Sequence, residues 1–351
     1  MYVGLVVYGD LEPRSGGYRY DRELVEGLRA CGDRVDVISL PETGYLRSLG
    51  HGLSSRLSRA FDRPFDVLLQ DELCHPSLFR ANRTDRGYPI VSIVHHLRSS
   101  EDRSRVDRWL ATGLERRYLR SVDAVVCPSR ATQLSVSRLA SVPGIVAWPG
   151  RGRFAPRISA TAIREHAHEG PLELLFVGNL VPRKGLDDLV RGLARVDGDW
   201  RLTVVGSEGN AGHVARVRTL IDDLDLADRV RFTGWLDDDA LAERFERAHL
   251  LAVPSSHEGF GIAYLEGMGF GLPPIASADG GAADLVDDGR TGFLVAPNDP
   301  AAIGRAVGSV IDDRAFLADL GIAARERYER HPTREETAGR IRAFLETRIG
   351  G

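Results

Sequence analysis

Pro254-Ser-Ser-His-Glu-Gly-Phe-Gly-Ile-Ala-Tyr-Leu-Glu266 carries two carboxylates, Glu258 and Glu266, with seven residues between them and the turn Gly259-Phe260-Gly261 inside that interval. The apolar run Leu250-Leu-Ala-Val-Pro254 ahead of it reads as a buried strand, and Ile262 to Phe270 reads as helix. A strand, a glycine-rich turn and a helix start together cradle a phosphate, because backbone N–H groups point outward and the helix dipole favours an anion. Glu258 falls in the loop before the cradle and Glu266 falls early on the helix. An ionised carboxylate only accepts hydrogen bonds, which suits a polyhydroxylated ligand. A phosphate cradle flanked by two hydroxyl acceptors describes a sugar-nucleotide site.

The basic residues point the same way. Of 46 cationic side chains only one is a lysine, Lys184, and the other 45 are arginines. Lys184 lies in Phe176-Val-Gly-Asn-Leu-Val-Pro-Arg-Lys-Gly185, again an apolar strand, a turn and a helix start. A compact ammonium on a flexible stem meets a phosphate as a point charge. The competing explanation is the chance survival of one codon under a strong arginine bias.

At 351 residues with 43% hydrophobic content, the chain has room for two full cores. Tyr2 to Tyr8 is a short apolar strand without a basic leader, so the mature chain is expected to start at once, and no apolar run reaches the ~18 residues of a membrane span. Cys31, Cys74 and Cys127 are far apart and lack metal spacing, which reads as reduced thiols in a cytoplasmic protein. His166 and His168 have no partner ligands nearby in sequence. The net charge of −4 hides an asymmetry: residues 1–155 hold 23 arginines and 18 acids, and residues 156–351 hold 23 cations and 32 acids. Neither half is strongly basic with interleaved aromatics, so nucleic acid is not an expected partner. The basic first half suits an anionic membrane or a phosphorylated acceptor.

Strand-like and helix-like runs alternate throughout, which argues for parallel sheets. Strands are expected at Tyr2–Tyr8, Arg34–Leu40, Asp66–Gln70, Pro89–His95 and Asp123–Cys127, then at 172–177, 201–206, 229–233, 249–253, 273–276 and 292–295. Helices are expected near 17–31, 45–61, 103–121, 129–140 and across 300–349. The Gly/Pro-rich segment Pro149–Pro171 reads as the linker. The fold class is α/β, with two doubly wound Rossmann-like domains facing across a cleft and ligands at the carboxyl ends of the strands. The first domain covers 1–155, the second 156–330, and 331–351 is a final helix.

These residues resemble a known family, the retaining glycosyltransferases of family four with the GT-B fold. The resemblance is densest from Leu174 to Val295. It rests on the Glu-x7-Glu pattern around Gly259-Phe260-Gly261, on Gly-x-Leu-x-Pro-x-Lys-Gly at 178–185, on Gly271-Leu-Pro-Pro-Ile-Ala-Ser with Gly280-Gly281, and on Asp288-Gly-Arg-Thr-Gly-Phe-Leu-Val295, in family order. It implies that a nucleotide-diphosphate sugar, the donor, binds mainly to the second domain. Its diphosphate would meet Lys184, Arg183 and the N–H groups of Gly259, Phe260 and Gly261. Glu266 would hold the ribose hydroxyls and Glu258 the transferred sugar. The base would lie near Phe232-Thr-Gly-Trp-Leu236, where Trp235 either stacks on it or packs inward. The family usually places arginine directly after the glycine equivalent to Gly178; this chain has Asn179. In the first domain the resemblance implies that Gly16 and Gly17 approach the donor and that His95, rather than His96, faces the sugar. The final helix would cross back onto the first domain.

The implied reaction moves a sugar to an acceptor hydroxyl with retention at the anomeric carbon, without metal, the acceptor being a glycan or lipid-linked glycoconjugate. The alternatives are a sugar-nucleotide epimerase or a non-catalytic nucleotide-sugar-binding protein of the same fold. A dinucleotide oxidoreductase is disfavoured, because no Gly-x-Gly-x-x-Gly follows the first strand.

Residues 45–61 repeat Leu46, Leu49, Leu53, Leu57 and Phe61 at helical spacing, with Arg47, Arg56 and Arg59 elsewhere on the turn. That pattern suits peripheral contact with the inner membrane face, and it equally suits a helix packed on the sheet. The stretch 98–120, with seven arginines against four acids, extends the same basic character. Replacing Arg47, Arg56 and Arg59 together by glutamine is expected to reduce co-sedimentation with anionic vesicles and to leave the melting temperature unchanged; unaltered sedimentation would sink the membrane reading.

Overall fold

The computed structural model describes residues 1–11, 15–45, 47–49, 55–100 and 104–349. In chain order the elements are β1 (Tyr2–Tyr8), α1 (Gly16–Ala30), β2 (Arg34–Leu40), α2 (Ser55–Phe61), β3 (Val67–Asp71), α3 (His75–Leu78), β4 (Ile90–Ile93), α4 (Arg105–Leu119), β5 (Ala124–Cys127), α5 (Arg130–Leu139) and β6 (Gly144–Val146). They continue with α6 (Ala160–His166), β7 (Leu172–Val177), α7 (Leu186–Leu193), β8 (Trp200–Val205), α8 (Ala211–Asp223), β9 (Val230–Gly234), α9 (Asp238–Arg247), β10 (Leu250–Val253), α10 (Ile262–Gly269), β11 (Pro274–Ser277), β12 (Phe293–Val295), α11 (Pro300–Asp312), α12 (Arg314–Glu329) and α13 (Arg334–Ile349).

The chain forms two compact units, Met1–Gly150 with Pro332–Gly351, and Arg151–His331. The first boundary thus falls five residues earlier than the composition suggests. Arg151 donates to the carbonyl of His331 at 2.8 Å, and Arg153 reaches Glu266 at 2.9 Å, so both arginines are tied into the second unit.

Each unit is built on a six-stranded, wholly parallel sheet. The first has strand order β2-β1-β3-β4-β5-β6 and the second β12-β11-β10-β7-β8-β9. Most inner strands are short apolar runs because both faces are covered, whereas the edge strands β2 and β9 are mixed. In β1, Val3, Leu5 and Val7 enter one core with Leu24 and Leu28 of α1, and Val6 enters the opposite core with Phe61 and Leu68. The order of strands reverses between β1 and β3 in the first sheet and between β7 and β10 in the second. At such a reversal the loops leave the carboxyl ends of adjacent strands in opposite directions and open a crevice for ligand.

Several features differ from the sequence reading. Strand β6 and helix α6 are additional. Helix α6 lies within the supposed linker; Ser159 caps it by accepting from the Ala162 N–H, and it buries Ile163. A seven-residue helix with one buried apolar side chain has too little periodicity to read. The expected single helix over 45–61 is also divided: 47–49 form one tight turn, and helix resumes with α2. Leu46, Leu53 and the Arg56 side chain lie outside the described residues. Leu57 and Phe61 are buried in the sheet core, with Leu49 packed against it. Among the described residues no helix is long and apolar enough to cross a membrane.

Helix α13 completes the first unit. Ala338, Ile341 and Leu345 enter the α1-side core, and Thr337 donates to the Trp148 carbonyl at 2.9 Å. Close approach depends on Gly27, where a Cβ would lie 2.4 Å from that of Ala338. Gly27→Val is therefore expected to cost about 2 kcal/mol by overpacking. Ala338→Gly alone should cost about 1 kcal/mol of helix propensity, yet the double variant should be more stable than Gly27→Val. Urea unfolding midpoints of the three chains test this, and simple additivity would exclude the contact.

Candidate active site

The reversal point of the second sheet brings together Arg183, Lys184, Glu258 and the turn that follows it. After β7 the chain passes Gly178 and forms a 3₁₀ turn, Pro182–Lys184, closed by Gly185 at φ 70°. A side chain at Gly185 would put its Cβ 2.2 Å from the carbonyl oxygen of Pro254, so only glycine lets this loop lie on the end of β10. That contact brings Lys184 to Glu258: the ammonium donates to Oε2 at 2.7 Å, and Ser255 Oγ donates to the same oxygen at 3.1 Å. Arg183 stands 3.9 Å from Oε2 and donates to the His257 carbonyl at 2.9 Å. Burial alone would push the Glu258 carboxyl up; Lys184 and Arg183 override it and hold the carboxyl down at about 2. Glu258 is a fixed anion clamped by two cations.

The loop Glu258–Gly261 lies backbone to backbone on Gly280-Gly281. Glu258 bridges Gly280, and the Gly281 N–H donates to the Glu258 carbonyl at 2.7 Å. A Cβ at Gly280 would come within 2.1 Å of that carbonyl. Gly261, at φ 94°, then starts α10. The amides of Phe260, Gly261, Ile262 and Ala263 have no acceptor among the described residues. Four unengaged N–H groups at a helix start beside Lys184 and Arg183 form an anion cradle. The Phe260 side chain itself is buried against His331, with ring centroids 5.6 Å apart, so its part in the cradle is its amide.

Glu266 is 8% exposed, and its Oε1 accepts from Arg153 at 2.9 Å. Arg153 also reaches Asp238 at 2.5 Å and lies over the Phe154 ring. This arginine escaped the sequence reading, since a lone charge in a loop carries no signal. Asp237 caps α9, accepting from the Ala240 N–H. Trp235 follows β9 and is 71% exposed, so its indole face is open to a partner. Asn179 is exposed just beyond Gly178.

In the first unit, His95 lies two residues past β4 and is 8% exposed. Its Nε2 pairs with Asp21 Oδ1 of α1 at 3.0 Å, and its backbone N–H donates to Glu72 Oε2 at 3.2 Å. The ring rests on Gly17, where a Cβ would meet the imidazole Cδ2 at 3.1 Å; Gly16 begins α1 just before it. Burial would lower the imidazole, but Asp21, Asp71 and Glu72 override it and raise it to about 9. Asp71 is itself pushed up, by burial first and by the Asp21 charge second. Asp21 Oδ2 and Asp71 Oδ2 are buried without hydrogen-bond partners among the described residues. One ligand-type atom each from Asp21, Asp71 and His95 lies within 4.8 Å of the others, so these side chains are the set with metal-binding geometry among the described residues. The imidazolium supplies the balancing positive charge. Nδ1 of His95 has no described partner and is free to donate to a ligand hydroxyl. Asp21 was legible in part: with Leu24, Val25 and Leu28 it falls at i, i+3, i+4 and i+7 on the buried stripe of α1, a charge where the pattern asks for an apolar side chain.

A raised histidine pKa stabilises the fold fully below the unfolded value of 6.5, and this contribution is lost as pH rises through about 9. Asp21→Asn removes the main attraction. It should return the His95 imidazole towards its ordinary range by NMR titration, and its melting-temperature deficit should shrink between those two pH values. A deficit that is flat with pH would assign the pairing no charge.

Two family models match the chain: Glycosyltransferase Family 4 over residues 14–150 and Glycosyl transferases group 1 over residues 159–327. The chain is 32% identical over 279 residues to a glycogen synthase of Mycobacterium tuberculosis, an alignment that takes in 76% of this chain and 64% of that protein. The chain thus spans under two thirds of that relative's length. Among solved structures, a sucrose-phosphate synthase from Thermosynechococcus elongatus superposes with a TM-score of 0.86 at 22% identity, covering 98% of each chain. HepE of Anabaena, in complex with UDP and glucose, superposes with a TM-score of 0.81 at 20% identity, covering 99% of this chain and all of that one. These likenesses establish the fold, and with the two family models they identify the chain as a member of the family-four, group 1 glycosyl transferases of the GT-B fold.

Proposed function

We propose that the protein is a retaining glycosyltransferase that moves a sugar from a nucleotide-diphosphate sugar to an acceptor hydroxyl on a glycan or lipid-linked glycoconjugate. The observation that carries this reading is the Lys184–Glu258 pair set beside four unengaged amides at the start of α10. The diphosphate lies on those amides and meets Lys184 and Arg183. Glu258, already anionic, accepts from hydroxyls of the transferred sugar. Glu266, held by Arg153, takes the ribose diol, and Trp235 offers its face to the base. His95 donates to the sugar from Nδ1.

The bond from the anomeric carbon to the diphosphate oxygen breaks while the acceptor oxygen approaches from the same face. The acceptor proton passes to the departing phosphate oxygen, so charge is conserved and configuration retained. Two cations and a helix start stabilise the negative charge that develops on the leaving group. Because protein groups supply that charge, the reaction is written without a metal ion. We place the protein in the cytoplasm, with the arginines of 45–61 against the anionic inner membrane face. The HepE complex supports a uridine nucleotide as one donor to be tried.

Thermal shifts with UDP-, GDP-, ADP- and dTDP-sugars in EDTA test the donor site. One nucleotide class at about 100 times its Kd should stabilise the wild type by about 2.7 kcal/mol. Lys184→Ala and Glu266→Ala should abolish the shift. NMR of the product with an accepted donor then reads the anomeric configuration. Shifts in no case, or shifts untouched by both variants, would overturn the donor assignment.

A further inference from the structure

One guanidinium joins α9, which follows Trp235, to α10, which carries Glu266. Arg153 directs Nε and Nη2 to the Asp238 carboxylate at 3.3 and 2.5 Å, and Nη1 to Glu266 Oε1 at 2.9 Å. A guanidinium is planar, so the two-pronged hold on Asp238 fixes the direction in which Nη1 points. The next residue braces the same two helices. The Phe154 ring lies 5.7 Å from Phe245 of α9 and 5.7 Å from Phe270 at the end of α10, and Tyr328 donates to the Phe154 carbonyl at 3.1 Å. Arg153 covers the Phe154 ring at 4.6 Å.

The two ends of this fork stand in different surroundings. The Asp238 end is 65% exposed, where an ion pair adds little to stability. The Glu266 end is 8% exposed, so that carboxylate cannot turn into water when a partner is missing. Burial disfavours the charge on Arg153, and Asp238 and Glu266 override it, so the cation stays in place between them. A carboxylate presents about four acceptor positions, more than one N–H at Oε1 consumes, so a held Glu266 still accepts from a vicinal diol. A site fixed to receive two hydroxyls rejects a ligand that lacks one, because an acceptor oxygen is left facing a C–H group. A carboxylate free to swing escapes that penalty and does not discriminate.

We propose that Arg153 is a positioning residue for the donor: it holds Glu266 against the ribose and thereby restricts the donor to ribonucleoside-diphosphate sugars, against their 2′-deoxy counterparts. This role rests on the donor reading given above and narrows its substrate class. Arg153 acts through Glu266 rather than on the reacting atoms, and Asp238 and Phe154 set its own position. dTDP-sugars, which lack the 2′-hydroxyl, are then poor donors whatever contacts the base makes.

Calorimetric titration of the full chain with UDP, GDP and ADP, and with the 2′-deoxy counterpart of each, tests this. The wild type should bind one ribonucleotide at least about tenfold more tightly than its deoxy counterpart. In Arg153→Gln that ratio should fall towards one. Arg153→Lys keeps the charge without the planar fork, so it should fold and still lose most of the preference. A merely structural role for Arg153 lowers both affinities together and leaves the ratio as it is in the wild type. An unchanged ratio in both variants, or equal binding of the paired nucleotides by the wild type, overturns the assignment. Equal binding that Lys184→Ala abolishes removes only the role of Arg153, whereas failure of every one of these nucleotides to bind the wild type removes the donor reading with it.

Discussion

A buried carboxylate that must stay charged organises the second unit. Glu258 sits where burial favours the neutral acid, and it remains an anion because Lys184 touches it and Arg183 stands behind. Those two cations come from the end of β7 and the carboxylate from the end of β10, so one ion pair fastens the two strands at which the sheet reverses. Removing Glu258 leaves Lys184 and Arg183 facing each other without their shared anion, and removing Lys184 leaves Glu258 to the more distant Arg183. Without the Gly185–Pro254 contact the loops could not approach closely enough for the pair to form.

The same physics takes a different form in the first unit. There the reversal point holds three acids and one imidazole, and the protonated His95 keeps them together. Two carboxylate oxygens have no partner among the described residues, which is costly in a dry interior. One unit therefore presents cations around a fixed anion, and the other a cation within a surplus of acids. Both sets gather at the carboxyl ends of short parallel strands, on the loops and on the last strand and first helix residues there, while the other strand side chains enter the cores.

Much of this was legible in the chain. Runs bounded by Gly and Pro gave β1, β2 and β7 to the residue: β1 and β7 are almost wholly apolar, as inner strands covered on both faces require, and β2, at the sheet edge, keeps Val35, Ile38 and Leu40 for the core between polar residues. The Glu258–Glu266 spacing and the isolated Lys184 marked the second unit's site, since a rare residue type and a glycine turn leave a local trace. What escaped was non-local or too short. Arg153 meets Glu266 across more than a hundred residues of sequence, and nothing near it announces the partner. Asp71 and Glu72 look like the polar end of a strand until tertiary packing buries them. Helix α6, with one buried isoleucine, has no periodicity to detect.

The solitary lysine has a practical consequence. Amine-directed reagents meet a single side-chain target along the whole chain, and it is 16% exposed where it meets Glu258. Acylation there erases the charge that holds Glu258, so labelling and loss of stability are the same event. A ligand seated on the ammonium shields it, and the extent of labelling then measures occupancy directly. Arginine bias has thus left the protein with a built-in, single-point reporter of its own site, at a position no engineered cysteine would improve on.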